Sequence, residues 1–214
     1  VELHLTTEQQ AATRAMDENC IRDVNLYLYG DTEYHFYFPS VSSPLVFNVL
    51  PGNYRSYAIA NAGQDLGDKN AFKIQFYETA VDVMESSDAI PMTDRGTLAV
   101  DGAGRCTPSS LRVTRSAAKI AYTIEVADAV APSLRLRSVQ FCNLPLTIRP
   151  FDSGSISSTV EANYYDGEAM PVGNERRTAG TAYLFENLQG SVDTITDQKD
   201  KCPENAPACA TYLR

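Results

Sequence analysis

Thiols are the most reactive groups this chain offers. Five cysteines, Cys20, Cys106, Cys142, Cys202 and Cys209, leave at least one thiol without an intrachain partner, because the number is odd. Cys202 and Cys209 flank Pro-Glu-Asn-Ala-Pro-Ala, a polar turn with two prolines. A bridge closing so short a loop would contribute about 2–3 kcal/mol through loop entropy and would suit an oxidising periplasm or cell exterior. Free thiols are the alternative at both positions. A metal site is disfavoured, since no second ligand pair with zinc-like spacing lies nearby. Cys142 ends the apolar run Val-Gln-Phe-Cys, where a cysteine behaves as a small hydrophobe, so a buried thiol is expected there.

Acid–base chemistry finds little to work with. The two histidines, His4 and His35, each sit inside a strand-like run and in no recognisable catalytic motif. The sequence holds no G-x-S-x-G, no Walker loop and no G-x-G-x-x-G. Gly102-Ala103-Gly104 opens like a dinucleotide loop but lacks the third glycine and the following helix. Asp193, Asp197 and Asp200 miss the alternating ligand spacing of a calcium loop. Carboxylates are plentiful, and a glycosidase needs only two facing each other about 5–10 Å apart. With no tryptophan to line sugar subsites, the hydrolase reading ranks third. No catalytic, cofactor-binding or metal site is therefore expected, and the chain reads as non-enzymatic. The 12 tyrosines suit recognition surfaces, but they suit strands equally well, and the second explanation suffices.

The elements that would carry these residues are mostly strands. The chain has 214 residues, room for one large or two small domains, and 43% of them are hydrophobic, enough for a real core. A net charge of −9 disfavours nucleic acid, whose binding needs surplus Lys and Arg to displace counterions. The basic clusters Arg112/Arg115/Lys119 and Arg135/Arg137 read as solvated strand faces. No apolar run is long enough to span a bilayer, and the N-terminus has neither the charged nor the apolar region of a signal peptide. Any membrane attachment is expected to come from an anchor outside this chain. Strands are predicted over 2–6, 21–29, 34–38 and 54–60, with turns at Gly30-Asp31 and Pro51-Gly52. Ile74, Tyr77, Val81 and Met84 recur at helical spacing and predict one helix over 70–85, packed on a sheet. Asp94-Arg95-Gly96 and Asp101-Gly102-Ala103-Gly104 break the pattern and place a domain boundary between 97 and 98. Beyond it, strands are predicted over 111–113, 119–126, 134–144, 159–164, 182–185 and 210–213. In the second of these Ile120, Tyr122, Ile124 and Val126 face one way. Without helices between consecutive strands, a parallel βαβ sheet is excluded in favour of sandwiches or open barrels.

Particular words in the sequence resemble the fimbrillin-like proteins of the Bacteroidetes, the type V pilus group, and within it the fimbrial tip or anchor type. They are ENCIRDVNLYLYG, LPGNYRSYAIANAGQDL, IPMTD, VTRSAAKIAYTIEV, SVQFCNLP, YLFENLQG and ENAPACATYL, in that order along most of the chain. The resemblance implies a mainly β protein of two tandem transthyretin-like sandwiches, 1–97 and 98–214, with one short helix in the first. It also implies export through the periplasm as an outer-membrane lipoprotein and assembly with other fimbrial subunits by β-strand exchange, with a host or bacterial surface ligand. The family's lipidation cysteine is missing from the start, and the chain stops at Arg214 inside a strand-like run, so the second domain is expected to continue beyond it. In that family, Arg-specific proteolysis can remove the first strand of a subunit. Here the strand would be 2–6, and Arg14 is the one basic residue in the polar connection after it; the alternative, which ranks slightly ahead, is that a tip or anchor member caps a filament and keeps its first strand. Asp193-Thr194-Ile195 resembles the Asp-Ser/Thr-aliphatic acceptor of Bacteroidetes O-glycosylation, which marks Thr194 as a weaker candidate. A surface glycan-binding lipoprotein of the same lineage is the runner-up, and it would show a cluster of exposed aromatics on one face.

Overall fold

The computed structural model describes residues 1–7, 19–67, 77–78, 90–148, 151, 161–173, 175–187, 189, 195–197, 200 and 202–214. The protein is mainly β and divides into two compact units. The first comprises Val1–Tyr77, Ser86–Ser116 and Arg149–Ser153, the second Glu78–Glu85, Ala117–Ile148 and Gly154–Arg214. No helix among the described residues is long and apolar enough to cross a membrane.

In the first unit the alternating runs become β1 (Glu2–Thr7), β2 (Val24–Tyr29), β3 (Glu33–Phe38), β4 (Leu45–Val46) and β5 (Gly52–Ala60). A two-residue β6 (Tyr77–Glu78) precedes β7 (Met92–Val100), β8 (Cys106–Thr107) and β9 (Ser110–Arg115). The strands pair in the order β3-β2-β5-β7-β9-β1-β4, with β8 on β7. Only Met92 and Thr93 of β7 pair with β9, so the sheet turns a corner there and splits into two facing layers. Period two then sorts the side chains. Val24, Leu26 and Leu28 of β2, Tyr54, Ala58 and Ala60 of β5, and Met92, Leu98 and Val100 of β7 face Leu3, Leu45, Leu111 and Val113 of the other layer in one core. Gly30 ends β2 because no side chain fits there: a Cβ would stand 2.7 Å from the Asn53 carbonyl oxygen and 2.9 Å from Tyr54 Cδ1.

One expectation is corrected here, and another falls largely outside the described residues. The boundary placed between 97 and 98 falls inside β7, which pairs along its full length with β5. Met92, Leu98 and Val100 hold that strand in the core register, so Asp94-Arg95-Gly96 is crossed as strand, and the chain leaves the first unit at Ser116. The predicted helix over 70–85 lies outside the described residues except at Tyr77–Glu78, which are extended.

The second unit is built on a long ribbon, β10 (Ala117–Glu125) against β17 (Arg177–Phe185), antiparallel over its whole length. Between them lie the two-residue strands β11 (Ser138–Val139), β12 (Phe141–Cys142), β13 (Leu144–Pro145), β14 (Thr147–Ile148), β15 (Tyr164–Tyr165) and β16 (Met170–Pro171), and β18 (Tyr212–Leu213) follows. Three ladders are β11 with β16, β12 with β18 and β13 with β15. Phe141, Leu144 and Ala182 form a small core, packed by Tyr122, Tyr165 and Leu184. The strand predicted over 134–144 starts only at Ser138. Before it the chain coils into a turn in which Ala131 N–H and Leu134 N–H donate to the Ala127 and Val130 carbonyls, and the Arg135 guanidinium caps the Ala131 and Leu134 carbonyls. That turn leaves Leu134 exposed, so its alternation with Leu136 carried no core signal.

Candidate functional site

The first strand occupies the middle of its layer. β1 runs parallel to β9, pairing Leu5 with Leu111 and Thr7 with Val113, and antiparallel to β4, pairing Leu3 with Leu45. Leu3 is fully buried, while Val1 and Leu5 pack against the same core from its margin. Backbone bonds close both sides: His4 N–H donates to the Ser109 carbonyl at 2.9 Å, and Phe47 N–H to the Val1 carbonyl at 3.2 Å. The Cys106 thiol donates to the Glu2 carbonyl at 3.0 Å, and burial pushes its pKa up. Lifting β1 out would leave a slot with two unpaired edges and an apolar floor, the geometry that accepts a strand from elsewhere. Arg14, the residue after which a cut would free β1, lies outside the described residues.

Each unit also carries a polar clamp centred on a left-handed asparagine. In the first unit Asn61 is buried in the left-handed region, φ 62°. Its Nδ2 donates to the Cys20 carbonyl at 3.0 Å and the Ile90 carbonyl at 2.8 Å, and its Oδ1 accepts Arg22 N–H at 2.8 Å. Asp23 accepts the Ala62 and Gly63 amides, one on each carboxylate oxygen, both at 3.0 Å. Burial raises the Asp23 pKa, and the Gly63 and Ala62 bonds offset part of that rise. Asn25 takes the Leu66 amide and donates to the Gln64 carbonyl, and the Tyr27 hydroxyl donates to the Gly67 carbonyl. The loop after β5 is thus stitched to the outer face of β2. Asp94, the other carboxylate whose pKa burial raises, is bonded by the Arg112 and Arg95 amides. Both are engaged by backbone rather than aimed at one another.

The second clamp centres on Asn143, also left-handed at φ 56°. Its Nδ2 donates to the Ala210 carbonyl at 3.1 Å, and its carbonyl accepts the Thr211 hydroxyl at 2.8 Å. Asn187 Nδ2 donates to the Cys209 carbonyl and to Thr211 Oγ1, both at 2.9 Å. Gln189 Nε2 adds the Asn187 side-chain oxygen at 2.8 Å and the Tyr164 hydroxyl at 2.6 Å.

Comparison with solved structures places this arrangement. A candidate cell adhesion protein of Parabacteroides distasonis aligns with a TM-score of 0.57 at 9% identity, covering 89% of this chain and 71% of its own. A fimbrial assembly protein of the same species aligns at 0.46 and 12% identity, covering 87% and 76%. A candidate cell adhesion protein of Bacteroides eggerthii aligns at 0.49 and 15% identity, covering 87% and 69%. The first alignment decides the fold. This chain shares the fold of the first Parabacteroides protein. No curated protein matches the sequence. A family model described as a domain of unknown function (DUF4906) matches residues 182–214. That stretch supplies Asn187, Gln189, Cys209, Ala210 and Thr211 to the second clamp.

The remaining candidates are dispersed. Cys202 and Cys209 are both half-buried and carry free thiols, at the two ends of the short turn that contains Pro203–Asn205. Cys142 is a buried thiol whose pKa burial raises. Thr194 lies outside the described residues. An aromatic row runs across the outer face of the first unit: Tyr27 stacks on His35 at 4.4 Å, Tyr29 meets Tyr57 at 5.9 Å, and Tyr57 meets Phe151 edge-on at 5.0 Å. Sequence reading missed both clamps as sites. Their signal was present as Asn at turn positions inside the resembling words, since Asn is the side chain that tolerates a left-handed backbone while capping neighbouring amides.

Proposed function

We propose that this chain is a non-enzymatic structural and adhesive subunit of a bacterial surface fimbria, in a tip or anchor position, joined to other subunits by β-strand exchange at the β1 slot. The carrying observation is β1 itself, a short strand buried at Leu3 and paired on both edges, whose removal would open an acceptor groove. The fold shared with a Parabacteroides candidate cell adhesion protein supports the adhesive part. Export through the periplasm and attachment to the outer membrane belong to the same reading. An Arg-specific protease tests it on the folded protein. Cutting after Arg14, loss of the first strand and self-association are expected. A cut chain that keeps its strand and stays monomeric would count against the acceptor role.

Two covalent features accompany this reading. Cys202 and Cys209, free thiols in the structure, are expected to pair on export to an oxidising compartment, and Thr194 to carry an O-glycan. One intact-mass measurement on protein from its native host reads both. A mass lower by two hydrogens is expected for the bridge, and a hexose-containing increment for the sugar; the unmodified mass rejects both.

A second reading, a surface glycan-binding protein, is favoured by the aromatic row Tyr29, Tyr57 and Phe151, flanked by the exposed Arg55 and Arg95. Tyrosine faces stack on sugar rings and bind through large area at low entropic cost. Replacing Tyr57 with Ala should then abolish retention on a glycan array, whereas a fimbrial subunit using only the β1 slot would be unaffected.

A further inference from the structure

The strand β10 pairs with β17 on one side, and among the described residues nothing pairs with its other edge. Such an edge is a template for another chain, and natural proteins usually blunt it by shortness, proline or covering segments. β10 has none of the first two: it is nine residues long and proline-free. Side chains on both of its faces are exposed as well, although Tyr122 packs edge-on against Phe141. Ala118, Lys119, Ile120, Ala121, Thr123 and Glu125 are exposed, while Tyr183 and Phe185 across the ribbon on β17 are buried. Ile120 is among the exposed large apolar side chains of the protein, although period two would have put it in a core.

The sequence of this edge is complementary to itself. Turning a second copy of β10 antiparallel about Ala121 sets Ala117 against Glu125, Ala118 against Ile124, Lys119 against Thr123 and Ile120 against Tyr122. Every pair stays on one face, because each sum of positions is even. Ile120 and Ile124 then find apolar partners, and Lys119 comes within diagonal reach of Glu125 on the other copy, twice by symmetry. Within its own chain the Lys119 ammonium lies 5.8 Å over the Tyr183 ring, on the face that carries Glu125. A parallel pairing loses the match of Lys119 to Glu125; the antiparallel register about Tyr122 keeps both matches, with Lys119 opposite Glu125 and Ile120 opposite Ile124, but it leaves the two copies of residue 121 as far apart as the two copies of residue 123.

We propose that β10 is an interaction surface for a second copy of this chain, forming a two-fold contact that joins two ribbons into a four-stranded sheet β17-β10-β10-β17. This contact lies in the second unit, and the uncut protein suffices to form it, so it stands or falls apart from strand exchange at β1. A single strand edge is smaller than a standard interface, so the pair is weak and concentration-dependent.

Cysteine crosslinking tests the register in a background with Cys20, Cys202 and Cys209 replaced by Ser. On the dyad, two copies of residue 121 lie about 4.5–5.5 Å apart at Cα, within disulfide range. Two copies of residue 123 lie four residues apart along the strands, about 13 Å. Ala121→Cys should give a disulfide-linked dimer under mild oxidation, and the equally exposed Thr123→Cys should not. In sedimentation velocity without oxidant, Lys119→Glu should reduce the dimer fraction several-fold, and Lys119→Glu with Glu125→Lys should restore it. Equal crosslinking at 121 and 123, a monomer at every concentration, or growth into polymers instead of dimers overturns the proposal; the last would indicate a head-to-tail donor strand at this edge.

Discussion

A chain lacking residues 1–7 should lose the first unit's cooperative fold, and the peptide VELHLTT supplied in trans should restore it. Deletion removes the fully buried Leu3 and the backbone pairing of β1 to both neighbours. A buried leucine alone is worth about 2–5 kcal/mol, and the lost pairing adds to that, against a total stability of about 5–15 kcal/mol for a domain. The effect is therefore large enough to empty the folded state or to drive the open edges into association. Cys106 supplies a built-in reporter. Its thiol is buried behind β1 and bonded to the Glu2 carbonyl, and its raised pKa keeps the reactive thiolate scarce. In the truncated chain Cys106 should label many times faster than in the intact protein, and added peptide should slow labelling in proportion to its occupancy. Leu3→Asp in the full-length chain should raise the same rate without deletion. A truncated chain that melts like the intact one, with Cys106 protected, would mean that β1 is an accessory strand and the slot does not exist.

How much of this was legible in the sequence follows from where the physics is local. β1, β2, β3 and β5 alternate cleanly and face one core, so their periodicity announced them. β7 did not, because Asp94-Arg95-Gly96 reads as a turn when taken alone; its strand register is imposed from outside by β5. Leu134 and Leu136 failed in the opposite direction: they alternate, but the turn from Ala127 to Leu134 lifts the segment out of the sheet. Ile120, Tyr122 and Ile124 share a face as expected, but only Val126 beyond them is buried, because burial depends on what packs against a strand and not on its own pattern. The clamps lay deeper still. Asn61 touches Cys20, Arg22 and Ile90, and Asn143 touches Ala210 and Thr211, partners separated by tens of residues. No window of sequence contains both ends of such a bond. The resembling words nevertheless marked them, since ENCIRDVNLYLYG, LPGNYRSYAIANAGQDL and IPMTD meet at Asn61, and SVQFCNLP, YLFENLQG and ENAPACATYL meet at Asn143 and Asn187.

That convergence makes Asn61 the side chain whose loss should cost the first unit most among its polar residues. Asn61→Ala strands the buried Ile90 carbonyl and the partly buried Cys20 carbonyl and Arg22 amide; a buried group costs about 1–3 kcal/mol when left unpaired, and the partly buried ones cost less. It also places a β-carbon residue without a compensating side-chain bond at φ 62°, which adds about 1–2 kcal/mol. Together these approach the whole stability of a domain, so about 3–5 kcal/mol is the expected loss after partial relaxation and water entry. Asn61→Gly separates the two causes, because glycine adopts the left-handed backbone freely and should recover only the conformational part, about 1 kcal/mol. Asn61→Asp separates the donors from the acceptor: it can still accept the Arg22 amide but sets a carboxylate against two carbonyl oxygens, and it should be at least as damaging as Ala. The measurement is a urea melt of each variant followed by the labelling rate of Cys106, which reads the first unit alone in a chain whose two units need not unfold together. The order expected is wild type, then Gly, then Ala and Asp together. An Ala variant within about 1 kcal/mol of wild type would show that the loop after β5 is held by Asp23 and Asn25 without Asn61, and would remove the clamp from the list of what keeps the β1 slot in shape.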